Sequence, residues 1–144
     1  MSKGKKLERT INKLLKKYQE QGIFAIRLHE HRIASGAIVE KNPFDYIVYH
    51  NGTMYGFDAK ETFDTAINIK SMLKPHQIDA MNEVRRNKGK GFFLVYFKTQ
   101  KIVSILPVET VLKKITENKK SIKPEEGIII PGLDFIKYEY NNKN

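Results

Sequence analysis

DYIVYHNGTMYGFDAK, residues 45–60, joins two β-prone runs through Asn51-Gly52. Asn-Gly between such runs favours a two-residue type I′ turn, because both positions must take a positive φ. Counting outward from the turn pairs His50 with Thr53, Tyr49 with Met54, Val48 with Tyr55, Ile47 with Gly56 and Tyr46 with Phe57. Asp45 then faces Asp58. Directly opposed side chains of an antiparallel pair have Cβ atoms ~4.5–5.5 Å apart, and like charges there are destabilising. A divalent cation removes the conflict, since Mg²⁺ takes one or two carboxylates and fills its octahedron with water and phosphate oxygen. Strand alternation puts Lys60 on the same face as Asp58. Two carboxylates and an ammonium on one patch are the parts needed for phosphodiester hydrolysis. The same count also suits an exposed hairpin with two solvated aspartates near its open end.

The neighbouring segments supply an α/β frame around this hairpin. Leu7, Ile11, Leu14, Leu15 and Tyr18 recur at helical spacing, with Lys5, Lys6, Arg9, Lys13, Lys16 and Lys17 on the rest of that surface. Residues 23–28 read as a strand, and residues 29–42 as a loop or irregular excursion. Residues 74–86 predict a helix with Pro75 in its first turn and Ile78, Met81 and Val84 inward. Residues 91–97 are a continuous apolar strand, residues 102–106 another, and a short helix is expected over 107–117. Residues 128–130 and 135–140 read as short edge elements. The predicted order is α-β-β-β-α-β-β-α, a mixed β-sheet flanked by helices. One domain over residues 1–144 is expected, with a frayed tail from about residue 141.

Composition narrows the chemistry. Lys and Arg number 26 against 16 Asp and Glu, a formal charge of +10. Such a surplus suits a polyanion, most simply nucleic acid. The absence of cysteine excludes disulfide scaffolds, Cys-ligated zinc and Cys nucleophiles. No apolar run reaches the ~20 residues that span a bilayer, and no apolar stretch follows the basic start MSKGKKLERT to make a secretory signal. A cytoplasmic protein without a membrane role is expected.

Asn42-Pro43-Phe44-Asp45-Tyr46, Phe57-Asp58-Ala59-Lys60-Glu61-Thr62 and His76-Gln77-Ile78, in that order, resemble the RecU family of Holliday junction resolvases, within the PD-(D/E)xK nuclease superfamily. The resemblance implies a restriction-endonuclease-like core and a homodimer. The implied activity is nicking of four-way DNA junctions at symmetric positions, with Mg²⁺ as cofactor, Mn²⁺ as a substitute and no small-molecule cofactor. By that resemblance Asp45 and Asp58 are metal-binding and catalytic, Lys60 is the transition-state lysine, Gln77 is metal-associated and Glu8 is a helix-borne catalytic acid. Asp58 stands where the family carries Glu, which shortens the reach by one methylene. Pro43 stands where a family Thr contributes to the metal site. The segment between the first strand and Asp45 is shorter than in bacterial members, where it builds a protruding stalk. The implied setting is the nucleoid, or the host cytoplasm for a phage-encoded version.

Other residues have two readings each. Gln77 alone would be a solvent-facing helix residue, yet it shares a face with core positions, so its amide is expected to point inward. Glu8 also suits pairing with Lys5 or Asn12 on its own helix. His29-x-His31 invites a zinc reading, but no third ligand has the spacing. Arg27, His29 and Arg32 are candidate DNA-backbone contacts near the metal. Arg85, Arg86, Lys88 and Lys90 form a basic turn that suits either a phosphate clamp or a solvated helix end. Lys113, Lys114, Lys119, Lys120 and Lys123 could extend that surface. A related flap or branched-DNA nuclease, or a non-catalytic recombination accessory factor that binds DNA, remains open beside the resolvase reading.

Overall fold

The Asn-Gly turn sets the centre of the fold. In the computed structural model Asn51 and Gly52 have φ of 51° and 78°, the double positive-φ step of a type I′ turn. The structure describes residues 5–29, 31–32, 34–35 and 38–138. The side chains of residues 5, 31, 32 and 38–40 lie outside that description. The predicted edge element over 135–140 and the predicted frayed tail therefore extend beyond the described residues.

In chain order the elements are α1 (Lys5–Glu20), β1 (Phe24–Arg27), β2 (His31–Arg32), β3 (Ile38–Glu40), β4 (Tyr46–His50), β5 (Thr53–Thr62), β6 (Ile67–Asn68), α2 (Ile69–Met72), α3 (Pro75–Arg86), β7 (Lys90–Phe97), β8 (Ile102–Pro107), α4 (Val108–Thr116), β9 (Ser121–Ile122), β10 (Ile128–Ile130) and α5 (Phe135–Tyr138), with a 3₁₀ turn at Pro124–Glu126. Six strands form one sheet in the order β1-β4-β5-β7-β8-β10. All neighbours are antiparallel except β5 and β7, so the sheet is mixed as expected. A parallel neighbour requires a crossover, and α3 lies within that connection.

The β4–β5 ladder has the register counted from sequence, from His50↔Thr53 to Tyr46↔Phe57. Beyond it the count needs adjustment. Asp45 precedes β4, and its backbone N–H donates to Asp58 Oδ1 at 2.8 Å instead of joining the ladder. Gly56 explains how the chain turns there. A Cβ on Gly56 would sit 2.4 Å from the Phe44 ring, so only glycine lets Phe44 lie on β5 and hold the residue after it, Asp45, over the strand.

Both faces of the sheet are covered. Leu7, Ile11, Leu14, Leu15 and Tyr18 of α1 are all buried in one core with Ala25, Val48, Phe57, Phe92 and Ile105. Ile78 and Met81 of α3 and Val108 and Val111 of α4 bury the opposite face with Phe44, Phe93, Val95 and Leu106. β7 is enclosed on both sides, which accounts for its unbroken apolar run.

Three segments depart from the sequence reading. Residues 29–42 are not wholly irregular, because β2 and β3 pair antiparallel within them, with a register shift between His31 and Arg32. The short strands β6 and β9, which pair antiparallel, and the four-residue α2 carried no periodicity long enough to notice. Residues 135–138 form a helix instead of an edge strand. Phe135 packs its ring 5.0 Å from Phe57, 5.1 Å from Phe92 and 5.7 Å from Tyr18, within the range of favourable edge-to-face pairs. The Tyr18 hydroxyl donates to Asp134 Oδ1 at 2.7 Å, and the Lys137 N–H caps the same oxygen at 3.0 Å. Burial acts to raise the Asp134 pKa, yet these donors and Lys17 outweigh it and hold the carboxyl below its ordinary value.

Because Phe135 is fully buried among four aromatic rings, those of Tyr18, Tyr55, Phe57 and Phe92, Phe135→Ala should destabilise the protein by ~3–5 kcal/mol. Urea unfolding followed by circular dichroism measures it, and a loss near zero would place α5 outside the core.

Candidate metal centre and nuclease site

Asp58 lies in the middle of β5, between β4 and β7, with only 2% of its surface exposed. Three groups converge on its carboxylate. The Asp45 N–H reaches Oδ1 at 2.8 Å, Gln77 Nε2 donates to Oδ2 at 2.8 Å, and Lys60 Nζ stands 3.4 Å from Oδ2. Asp45, half-buried beside it, takes the strain of the like-charge pair. Burial and the neighbouring Asp58 charge push its pKa up to about 6, against the smaller opposing influence of Arg27 and Lys60.

Gln77 occupies the first turn of α3, buried as its face predicts. Pro75 opens the helix and Lys74 caps it without a side-chain hydrogen bond, so the positive end of the helix dipole points toward the carboxylates. The Gln77 amide is half satisfied: Nε2 holds Asp58, whereas Oε1 is buried with no hydrogen-bond partner among the described residues. A buried acceptor without a donor costs ~1–3 kcal/mol. A cation between the two carboxylates and this oxygen would answer both that orphan and the Asp45–Asp58 repulsion. The donor set therefore fits a divalent metal with oxygen ligands and few protein contacts. Among the described residues no three His, Cys, Asp or Glu side chains cluster as a metal cage, so His29 gains no zinc partners there.

These groups line an open pocket of about 410 Å³, together with Lys41, Asn42, Ala59, Lys74, Pro75 and His76. Sequence reasoning missed Lys41, Asn42, Lys74 and His76 as site residues. Their signal was proximity in the chain, since they flank the Asp45 and Gln77 blocks, and no periodicity marks such neighbours.

The remaining candidates are placed as follows. Glu8 does not line the pocket. Its Oε1 accepts from Arg27 Nη1 at 2.6 Å, so it has a partner on β1, while the Lys5 side chain lies outside the described residues. Arg27 is thereby engaged, with its guanidinium 6.0 Å from the Tyr46 ring centroid and its charge felt by Asp45. His29 is exposed, and the Arg32 side chain lies outside the described residues. Arg85 is bound to Asn82 Oδ1 and Arg86 to Glu83 Oε1, while Lys88 is exposed in the turn and Lys90 opens β7. That basic turn sits at the far end of α3 from Gln77, roughly 13 Å along the helix by its rise per residue.

Known proteins resemble this chain in sequence and in fold. A family model described as RecU, Recombination protein U, matches residues 2–129. A Holliday junction resolvase RecU of Ureaplasma parvum serovar 3 is 25% identical over 157 aligned residues, covering 96% of this chain and 92% of that protein. RecU of Staphylococcus carnosus is 36% identical over 86 residues, 57% of this chain and 41% of that protein. RecU of Staphylococcus aureus strain JH9 is 32% identical over 106 residues, 65% of this chain and 51% of that one. The chain thus spans about half or less of those two staphylococcal relatives. Among solved structures, Archaeoglobus fulgidus Hjc, a Holliday junction resolvase from an archaeal hyperthermophile, superposes with a TM-score of 0.57 at 17% identity, covering 85% of this chain and 94% of that one. The shared fold is the restriction-endonuclease-like one.

The Asp45 shift has a consequence for stability. An acid whose folded pKa of about 6 lies above its unfolded value of 3.8 disfavours the folded state once ionised. The penalty is absent below pH 3.8, grows as pH rises toward 6 and is complete above that. In EDTA, Asp45→Asn should therefore melt higher than the parent at pH 7 and alike at pH 3.5. A parent that melts as high as the variant at pH 7 would show that the two carboxylates do not strain one another.

Proposed function

The chain belongs to the RecU family, and from that premise we propose that it is a Mg²⁺-dependent, structure-selective endonuclease that resolves four-way DNA junctions. The observation that carries the reading is the convergence of Asp45, Asp58, Lys60 and the unpartnered Gln77 Oε1 in one pocket. The names of the Ureaplasma and staphylococcal relatives support the junction as substrate.

Asp45, Asp58 and Gln77 Oε1 are the residues that would hold the cation. Bound there, Mg²⁺, or Mn²⁺ in its place, would polarise a phosphoryl oxygen and lower the pKa of a water. Lys60, 20% exposed and aimed at Asp58, keeps its ammonium at the pocket floor, where it can orient the attacking water and offset charge that develops on the phosphoryl group. The N-terminal turn of α3, with Lys74 and His76, faces the same space and favours an anionic phosphate. Arg27 acts indirectly, since it holds Glu8 and lends positive charge beside Asp45. Glu8 is thus an orienting acid at one remove from the pocket.

Two symmetric nicks call for two such sites, so the working form is a homodimer with isologous contacts. Each subunit contributes a single nuclease domain over residues 1–144. The substrate places the enzyme in the cytoplasm at the DNA, and among the described residues no helix is long and apolar enough to cross a membrane.

Cleavage of labelled synthetic four-way junctions, flaps and linear duplex in Mg²⁺, with and without EDTA, tests the reading. Junction cleavage that survives EDTA, or duplex cut as readily as junction, would contradict it. Asp58→Asn should lower the cleavage rate by at least about 10³-fold while junction binding stays near the parent value, because charge is removed and shape is kept. Lys60→Ala should slow cleavage by about 10²–10³-fold and change the binding constant by less than about threefold. A Lys60 variant that binds poorly but cuts bound junction normally would reduce Lys60 to a phosphate anchor.

A further inference from the structure

A second cationic surface lies at α2 and the segment before β9. Lys70 of α2 and Lys119 and Lys120, just before β9, line an open groove of about 450 Å³ with Asn68, Ile69, Ile115 and Asn118. Its position is held by the backbone. The Ile69 N–H donates to the Lys120 carbonyl at 3.0 Å, and β6 pairs with β9 through Ile67↔Ile122 and Asn68↔Ser121. Ile67 and Ile122 are fully buried beneath it, so the groove is anchored to the core. Lys119 and Lys120 also line the adjoining concavity that contains Lys123.

The groove itself is lined by no acid. Lys70, Lys119 and Lys120 are exposed, and among the described residues none of them forms an ion pair, whereas in the adjoining concavity Glu125 and Glu126 stand with Lys123, and Glu126 takes Lys114. Ile115, 44% exposed, supplies an apolar side to the groove. Ammonium groups around an apolar residue match a sugar–phosphate backbone, whose anionic oxygens alternate with deoxyribose carbons. The two sites are also close in the chain. Lys70 is four residues from Lys74, which lines the Asp58 pocket, so the chain separates them by at most about 14 Å. Phosphates of one strand recur about every 3.4 Å of duplex axis, so a strand leaving the pocket past α2 meets the groove within about four nucleotides.

We propose that this groove is a DNA-backbone subsite that holds the strand leaving the cleavage pocket past α2, a surface separate from the basic turn at the other end of α3. The proposal rests on the endonuclease reading above for its substrate. DNA thus contacts cations near both ends of α3, with Lys74 and the α2 groove before the helix and residues 85–90 at and beyond its last turn. Contacts of this kind set the path and register of the backbone and carry no base specificity.

Binding of a synthetic four-way junction in EDTA, measured by fluorescence anisotropy over a range of salt, tests the groove. Lys119→Gln with Lys120→Gln should weaken binding about tenfold near 0.1 M salt and flatten the slope of log affinity against log salt by roughly 2, about 0.9 for each phosphate that is no longer neutralised. Lys13→Gln with Lys16→Gln, exposed on α1 across the sheet, removes the same charge and should change both values far less. An unchanged slope in the Lys119/Lys120 variant, or an equal loss in the α1 variant, overturns the groove. Cleavage by the parent protein in Mg²⁺ is scored separately. A parent that cuts junctions with an unaltered Lys119/Lys120 variant sinks the groove alone, and a parent that binds no DNA sinks both.

Discussion

The hydrogen bond from the Asp45 N–H to Asp58 Oδ1, at 2.8 Å, joins the two blocks on which the site depends. It closes the open end of the β4–β5 hairpin with a side chain where a ladder pair would otherwise stand. The bond requires Phe44 to lie across β5, which the missing side chain of Gly56 allows. It also requires the register fixed by the Asn51-Gly52 turn, since a slip of one residue would turn Asp58 and Lys60 to the α1 side of the sheet. Asp58 is then held by Gln77 from a third element, so hairpin and helix α3 are locked at one carboxylate.

That lock carries a stored conflict. Two acids are held together in a half-dry pocket, one with its pKa raised to about 6, beside an amide oxygen that has no donor among the described residues. A fold optimised only for stability would not keep this arrangement, because unpaired buried polar groups and adjacent like charges both disfavour the folded state. The surrounding structure tolerates it because the sheet is buried on both faces and its core is rich in stacked rings, such as Phe57 on Phe92 at 5.0 Å. The charge distribution follows the same division. The surplus of +10 is spread over exposed lysines and arginines, while Asp45 and Asp58 are drawn inward beneath them.

Legibility in the sequence depended on how local each signal was. The hairpin register was readable because a two-residue turn leaves no freedom in pairing, and α1 was readable because five apolar residues repeat over three turns. The β6–β9 pair was not, because each strand has two residues and they lie more than 50 positions apart. Residues 135–138 misled for a related reason. Phe135, Ile136 and Tyr138 are β-prone by type, and only packing against Phe57, Phe92 and Tyr18 makes a short helix the better arrangement.

From its sequence alone the chain declares a mixed α/β sheet, the pairing of the central hairpin, an inward Gln77 and the convergence of Asp45, Asp58 and Lys60. Each follows from strand alternation, helical period or a turn with one permitted geometry. The tertiary structure alone decides that Glu8 answers Arg27, that Lys41, Asn42, Lys74 and His76 share the carboxylate pocket, and that Lys70 meets Lys119 and Lys120 in one groove. Those are contacts between side chains on different elements. Their partners are selected by how the layers stack on the sheet, and no short-range period in the chain encodes that.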